Sequence, residues 1–184
     1  MNTQIHSLRP VGFIGAKNAG GEEYRTAYNL AKLVAECGRP VITGGLGGVM
    51  EAACRGAMDA GGTSIALLPG MDATAANPYA SIVLTTDLGT HDEHKSDSLK
   101  DYSRNRIIAS ASAFLVAISG REGTANEIKL ALRFGKTVFA VRGAPYPEDV
   151  NSISPERIKN YRRMTTPDEA AAAIRTILTA TLQG

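Results

Sequence analysis

A glycine-rich turn follows the short apolar run that starts at Val41, and its residue types suit ligand binding. A helical pattern then continues to Ala60. The four glycines of the turn are Gly44, Gly45, Gly47 and Gly48. Glycine allows positive φ and a close approach of the backbone to a ligand, and the helix N-terminus adds free N–H groups and a positive dipole. Together these features predict an anion pocket.

The same turn has a purely structural alternative, because tight strand-to-helix turns use glycine even where nothing binds. Two well-known nucleotide motifs are excluded by the residues themselves. No Lys-Ser or Lys-Thr pair follows the glycines, so the turn is not a Walker loop, and the residues from Gly45 to Val49 do not spell G-x-G-x-x-G.

Two further loops have similar composition. Residues 11–14 form an apolar run that leads into a glycine-rich loop starting at Gly15, which also carries Lys17. Residues 113–118 are the most continuous apolar run in the chain and lead into Gly120 and Gly123. Thr124 is predicted to cap the helix that follows to residue 133. Glycine turns after two buried strands are typical of a ligand crevice in an open α/β sheet.

The elements that would position these loops alternate along the chain. Strands are predicted at 11–14, from 41, and at 64–68, 81–85, 113–118 and 137–141; helices are predicted at 22–37, from the glycine turn to 60, and at 99–110, 124–133 and about 166–182. Strands that are apolar almost throughout belong in a parallel sheet covered on both faces. The predicted fold class is therefore α/β, with residues 1–184 forming a single Rossmann-like doubly wound parallel sheet flanked by helices.

Composition narrows the function further. The 184 residues are 43% hydrophobic, carry a net charge of +2 and contain no Trp. A nucleic-acid surface would want a basic excess and stacking aromatic side chains, so no nucleic-acid partner is expected. No segment approaches the roughly 20 apolar residues that span a bilayer, and residues 1–10 lack a signal-peptide core. We therefore expect a cytoplasmic protein with no membrane partner.

Residues 87–100 form a polar loop that carries His91 and His94. Their H-x-x-H spacing could ligate a metal, but a solvated charged loop has the same composition and no third ligand of matching spacing appears. We predict no metal site.

Two segments carry a resemblance to a known superfamily. Residues 43–50, Thr-Gly-Gly-Leu-Gly-Gly-Val-Met, and residues 120–127, Gly-x-x-Gly-Thr-x-x-Glu, resemble the paired signatures of the "Lonely Guy" proteins, long mislabelled lysine decarboxylases. The similarity runs from about residue 11 to 141. It implies a Rossmann-like fold, a homo-oligomer and, in the enzymes, hydrolysis of nucleoside 5′-monophosphates to base and ribose 5-phosphate. The catalytic Arg and Glu of those enzymes would correspond to Arg104 and Glu127.

The residue types agree with that chemistry. Cleavage of an N-glycosidic bond builds positive charge at the ribose C1′, which a carboxylate such as that of Glu127 stabilises. Arg104 could bind the phosphate through bidentate hydrogen bonds or orient the base. The alternative is that Arg104 and Glu127 form a structural ion pair between two helices.

Two departures point to another branch of the superfamily. The enzymes typically carry Pro-Gly-Gly and Arg-Lys where this chain has Ser119-Gly120-Arg121 and Arg104-Asn105. These changes resemble the molybdenum-cofactor carrier proteins, which bind a phosphorylated pterin without converting it. The side chain of Arg121 either narrows the pocket or adds a cation for a more highly charged ligand.

The sequence therefore predicts a protein that binds a phosphorylated nucleotide-like or pterin ligand, with no cofactor required and molybdenum cofactor as a candidate ligand. The alternatives are a nucleoside 5′-monophosphate phosphoribohydrolase and a nucleotide-sensing module. We expect a dimer or tetramer, with an interface or the sheet face at Val49, Ala53 and Ala57. The predicted ligand-binding residues are Gly15, Lys17, Gly44, Gly45, Gly47, Gly48, Met50, Asn105, Gly120, Arg121, Gly123 and Thr124.

Overall fold

The computed structural model describes residues 9–88, 103–147 and 152–180. Seven strands lie in these ranges: β1 (Val11–Gly15), β2 (Val41–Thr43), β3 (Ser64–Leu68), β4 (Ile82–Thr85), β5 (Leu115–Ile118), β6 (Val138–Val141) and β7 (Tyr161–Arg163). The helices are α1 (Gly21–Glu36), α2 (Val49–Asp59), α3 (Arg104–Ala111), α4 (Glu122–Arg133), α5 (Pro155–Ile158) and α6 (Pro167–Ala180), with a 3-10 turn at Ala73–Ala75.

The strands form one parallel sheet in the order β4-β3-β2-β1-β5-β6-β7. The chain builds outward from β1 in one direction, then crosses over to β5 and builds outward in the other. The point where the order reverses therefore lies between β1 and β5. In open α/β sheets a ligand crevice forms outside the carboxyl ends of the strands at this point. The predicted α/β doubly wound fold is confirmed.

Each face of the central part of the sheet is buried under its own layer of helices, whereas the edge strand β4 is exposed. Phe13 of β1 points into a cluster formed with α1, α2 and α6, and its neighbour Ile14 points into a second cluster formed with α3 and α4. Both side chains are almost completely buried. Successive side chains of a strand point to opposite faces, so a central strand covered on both faces is apolar at every position.

Residues 166–169, Thr-Pro-Asp-Glu, have the pattern of a capping box and open the last helix. The hydroxyl of Thr166 accepts a hydrogen bond of 3.1 Å from the N–H of Glu169. The carboxylate of Glu169 accepts one of 2.6 Å from the N–H of Thr165, one residue before the position that the motif predicts. Both bonds satisfy donors that would otherwise lack a partner near the start of α6.

The structure corrects one expectation, adds one strand and decides between two alternatives that the sequence leaves open. Helix α4 begins at Glu122 with Arg121 at its N-cap, so Thr124 lies inside the first turn and does not cap the helix. The edge strand β7 was not predicted. Val49, Ala53 and Ala57 are all completely buried against α1 and the sheet. They serve the sheet face, so the predicted homo-oligomer requires a different surface.

Two expectations fall wholly or partly on residues outside the described ranges. His91 and His94 lie outside the described residues, and so do the first four residues of the helix predicted at 99–110. Within the described residues, no helix is long and apolar enough to cross a membrane.

Candidate functional site

A cleft of about 470 Å³ lies at the point where the strand order reverses. Its walls come from the loops after β1 and β5, from the start of α3 and from the first turns of α2 and α4. The lining residues are Gly15, Ala16, Lys17, Asn18, Met50, Arg104, Asn105, Gly120, Arg121, Gly123, Thr124 and Glu127. The position is the one that the sheet topology favours for a ligand.

The cleft has a charged rim and a buried floor. Lys17 and Arg121 are exposed to solvent at the rim. Arg104, Asn105 and Glu127 are buried, with exposed fractions of 3%, 2% and 7%. Three cations and one carboxylate therefore line the cleft, which favours an anionic ligand. The exposed cations at the rim can meet a phosphate, whereas at the floor the guanidinium of Arg104 lies near the carboxyl group of Glu127.

The turn after β5 is shaped by two residues with positive φ. Ser119 has φ of 51° and Gly120 has φ of 105°. A Cβ at Gly120 would overlap the side chain of Thr124, so this position needs glycine for space as well as for conformation. The turn directs the start of α4 toward the cleft, and the N–H groups and dipole of a helix N-terminus favour an anion there.

Arg104 and Glu127 face each other at the floor without a hydrogen bond. Nη1 of Arg104 lies 3.8 Å from Oε1 of Glu127. This distance allows an electrostatic attraction but is too long for a hydrogen bond. The Nε of Arg104 is buried and has no hydrogen-bond partner within the ranges that the structure describes. Buried polar groups are nearly always hydrogen-bonded, so a donor without a partner at the cleft floor requires an explanation. The long distance between the two charged groups distinguishes this pair from a hydrogen-bonded structural ion pair.

Burial controls the protonation of this pair. Loss of solvent raises the pKa of Glu127 to about 7, although the positive charge of Arg104 lowers it. Burial likewise lowers the pKa of Arg104, while Glu127 opposes that shift. A carboxyl group with a pKa near 7 can both donate and accept a proton at neutral pH.

The glycine turn after β2 lies behind the cleft. The hydroxyl of Thr43 accepts a hydrogen bond from the N–H of Gly45 at 3.0 Å. The side chain of Asn77 donates to the carbonyls of Gly45 and Leu46 at 3.0 and 3.3 Å. The turn is therefore held by the protein's own polar groups. Nothing in the local sequence around Asn77 indicated this contact, because its partner lies 32 residues earlier.

The predicted ligand-binding residues fall into two groups, those that line the cleft and those that do not. Most of them line the cleft together with Arg104 and Glu127: Gly15, Lys17, Met50, Asn105, Gly120, Arg121, Gly123 and Thr124. The lining does not include the four glycines of the turn after β2, Gly44, Gly45, Gly47 and Gly48. Ala16 and Asn18 also line the cleft but are not among the predicted residues. The glycine-rich loop that contains them is the sequence signal for their position.

No metal centre is found in the part of the chain that the structure describes. No group of three or more His, Cys, Asp or Glu side chains within residues 9–88, 103–147 and 152–180 is arranged to hold a metal ion.

Comparison with known proteins identifies the family. A model of the SLOG cluster4 family matches residues 8–174. The chain belongs to this family. Its place in the Rossmann-like Lonely Guy and lysine-decarboxylase-like superfamily, expected from the two glycine motifs, is thereby confirmed. A related uncharacterized protein of Archaeoglobus fulgidus is 37% identical over 163 residues, which cover 89% of this chain and 92% of that protein.

Two solved structures are similar to this chain over more than nine-tenths of its length. The molybdenum cofactor binding protein of the phototrophic bacterium Rippkaea orientalis is 26% identical, with a TM-score of 0.74 over 92% of this chain and 98% of that one. The molybdenum cofactor carrier protein of Chlamydomonas reinhardtii is 29% identical, with a TM-score of 0.70 over 93% and 99% of the two chains.

Proposed function

We propose that the protein binds a phosphorylated ligand of nucleotide or pterin type in the cleft between the loops after β1 and β5, as a carrier would. The observation that carries the proposal is the buried Arg104 at the cleft floor: its Nη1 lies 3.8 Å from Oε1 of Glu127, and its Nε has no hydrogen-bond partner among the described residues. A buried donor left without a partner costs about 1–3 kcal/mol, which a polar ligand would recover.

In this proposal the ligand lies with its phosphate at the rim. Lys17 and Arg121 supply positive charge there, and the backbone of Gly123 and Thr124 supplies the start of α4. A guanidinium can bind a phosphate through two parallel hydrogen bonds. Phosphate at the floor would meet the carboxyl group of Glu127, so the uncharged part of the ligand belongs at the floor.

The similarity to molybdenum-cofactor proteins supports a pterin ligand. Both solved structures named above are described as binding or carrying molybdenum cofactor. The cofactor would be cargo here, and the cleft residues fit it by charge: cations at the rim suit its phosphate, and Arg104, Asn105 and Glu127 offer hydrogen bonds to its heterocycle.

The test is direct binding. Calorimetry with inorganic phosphate, AMP and GMP would measure nucleotide-like binding. Molybdenum analysis and the fluorescence of oxidised pterin would detect cargo in protein purified from cofactor-producing cells. We expect binding of at least one of these ligands, lost in Arg104→Ala. If the wild type shows no phosphate or nucleotide binding at millimolar concentration and copurifies with no pterin, the proposal is wrong.

A second candidate function, phosphoribohydrolase activity, is favoured by the pKa of Glu127 near 7. In this reaction a water oxygen bonds to C1′ while the C1′–N bond breaks. The electron pair of that bond goes to the base nitrogen, and a water proton ends on the base. The ionised form of Glu127 would stabilise the positive charge at C1′ and orient the water.

Release of ribose 5-phosphate separates the two candidates. A hydrolase should release the sugar phosphate from AMP or GMP, with a rate that rises with pH through about 7 as Glu127 ionises. Glu127→Gln should then lower the rate by several powers of ten while the affinity changes little. A carrier should release none, and the same variant should change affinity only.

A further inference from the structure

We propose that Gly44 is a positioning residue whose lack of a side chain allows Arg104 to reach the cleft floor. This inference rests on the proposed ligand site but assigns Gly44 a role that is separate from ligand contact. The glycine turn after β2 would then act through the guanidinium of Arg104.

The space at Gly44 is taken by the side chain of Arg104. A Cβ built at Gly44 would overlap Nη1 of Arg104 and would lie 2.8 Å from its Cζ. It would also lie 2.9 Å from the sulfur of Met50, which lines the cleft. Real Cβ atoms essentially never approach a neighbour this closely. The guanidinium of Arg104 is therefore packed directly against the backbone of the turn.

Conformation does not explain this glycine. The φ angle of Gly44 lies outside the left-handed region, whereas Gly45 and Gly48 have φ of 76° and 67°. The φ angle of Gly44 therefore does not require glycine, whereas the neighbouring side chains exclude a methyl group there. The neighbours are flexible side-chain ends and not backbone atoms, so a methyl group would move them without unfolding the chain.

The consequence is specific to the pair at the floor. Displacement of Arg104 removes positive charge from the vicinity of Glu127, whose carboxyl group lies 3.8 Å away. The other charged side chains lining the cleft, Lys17 and Arg121, are exposed at its rim and stay where they are. Since Arg104 lowers the pKa of Glu127, moving it away should raise that pKa further.

The experiment compares Gly44→Ala, Arg104→Ala, the double variant and the wild type, all without ligand. An NMR titration of the Glu127 carboxyl carbon reports its pKa. We expect Gly44→Ala to raise this pKa above the wild-type value of about 7 in the same direction as Arg104→Ala. In the Arg104→Ala background the added methyl group should not change the Glu127 pKa further, since the guanidinium that it displaces is gone and its other neighbour, Met50, carries no charge. Gly21→Ala, which adds a methyl group in open space at the start of α1, should leave the pKa unchanged.

A ligand measurement gives a second readout. Calorimetry with GMP should show about tenfold or greater loss of affinity in Gly44→Ala, with its melting temperature close to that of wild type. A Glu127 pKa that is unchanged in Gly44→Ala, or shifted equally in the two backgrounds, would overturn the role of Gly44. Absence of GMP binding in the wild type bears only on the proposed function, because the titration needs no ligand.

Discussion

The N–H of Val49 donates a hydrogen bond of 3.0 Å to the carbonyl of Ala16. This bond ties the first residue of α2 to the loop after β1. This N–H at the start of α2, which the sequence predicts to bind an anion, therefore bonds to another part of the protein. The two loops behave as one unit, with the loop after β1 facing the cleft and the turn after β2 supporting it from behind.

This packing makes Gly48 a structural requirement. Its φ of 67° favours glycine, and a Cβ there would overlap the carbonyl oxygens of Ala16 and Lys17. Gly48→Ala should therefore lower the free energy of unfolding by about 2 kcal/mol or more. Gly123→Ala is the matched control, since its Cβ would meet no atom within 4 Å. Urea unfolding of both variants tests the prediction; equal stabilities would contradict it.

The buried carboxyl group of Glu127 should make stability depend on pH. Its folded pKa of about 7 lies above the ordinary value of 4.5, so the folded state holds the proton more tightly than the unfolded state. The stabilisation is complete below about pH 4.5 and is lost as pH rises through about 7. The free energy of unfolding should fall by up to about 3 kcal/mol over that range.

The control for this pH dependence is Glu127→Gln, which cannot titrate. Urea unfolding at about pH 5 and pH 8 should show a smaller decrease for the variant than for the wild type. Parallel pH profiles of the two proteins would mean that Glu127 keeps its ordinary pKa in the folded state.

Arg121 should contribute charge to ligand binding at the rim. It is exposed and makes no side-chain cap at the start of α4, so its removal should leave the fold intact. Arg121→Ala should weaken binding of GMP or inorganic phosphate by about three- to tenfold, and the difference should shrink at high salt. Arg162→Ala removes a cation that is also exposed, from β7 and outside the cleft lining, and should have no effect on calorimetric affinity. Equal losses in both variants would indicate only a general charge effect.

Asn77 should stabilise the turn after β2. Besides its donations to Gly45 and Leu46, its Oδ1 accepts a hydrogen bond of 3.2 Å from the N–H of Tyr79. Asn77→Ala removes these side-chain hydrogen bonds and should cost about 2–3 kcal/mol, although the backbone N–H of residue 77 keeps its bond of 2.8 Å to the carbonyl of Gly45. Asn29→Ala, at an exposed position of α1, should leave the melting temperature unchanged or slightly higher. Calorimetric scans measure both, and a wild-type melting temperature for Asn77→Ala would refute the prediction.

The sequence predicts most clearly the strands whose side chains are buried on both faces of the sheet. Strands such as β5 are apolar at every position because both faces are covered, and this pattern is visible without a structure. Strand β7, Tyr161–Arg163, escaped because it is three residues long and carries two exposed arginines at the sheet edge. Its strand conformation comes from pairing with β6, which the local sequence does not encode.

The site was predictable in its residue types and less so in its layout. Local sequence identifies loops rich in glycine but does not specify which strands are neighbours. The strand order places β5 beside β1, so the loop containing Ala16 and Asn18 faces Gly120 and Arg121 across the cleft. The turn after β2 lies one strand farther away. Its glycines have steric roles against Arg104, β3 and the β1 loop that composition alone could not distinguish from ligand contact.

The central position of β1 has a consequence for how the protein is made. Strand β1 pairs with β2 on one side and with β5, about a hundred residues later in the chain, on the other. During synthesis the half of the sheet from β1 to β4 can assemble early, but the β1–β5 contact must close a long loop first. The cleft cannot exist until α4 has emerged. A ligand can therefore stabilise only the union of the two halves, and its binding should slow their separation while leaving the assembly of the first half unaffected.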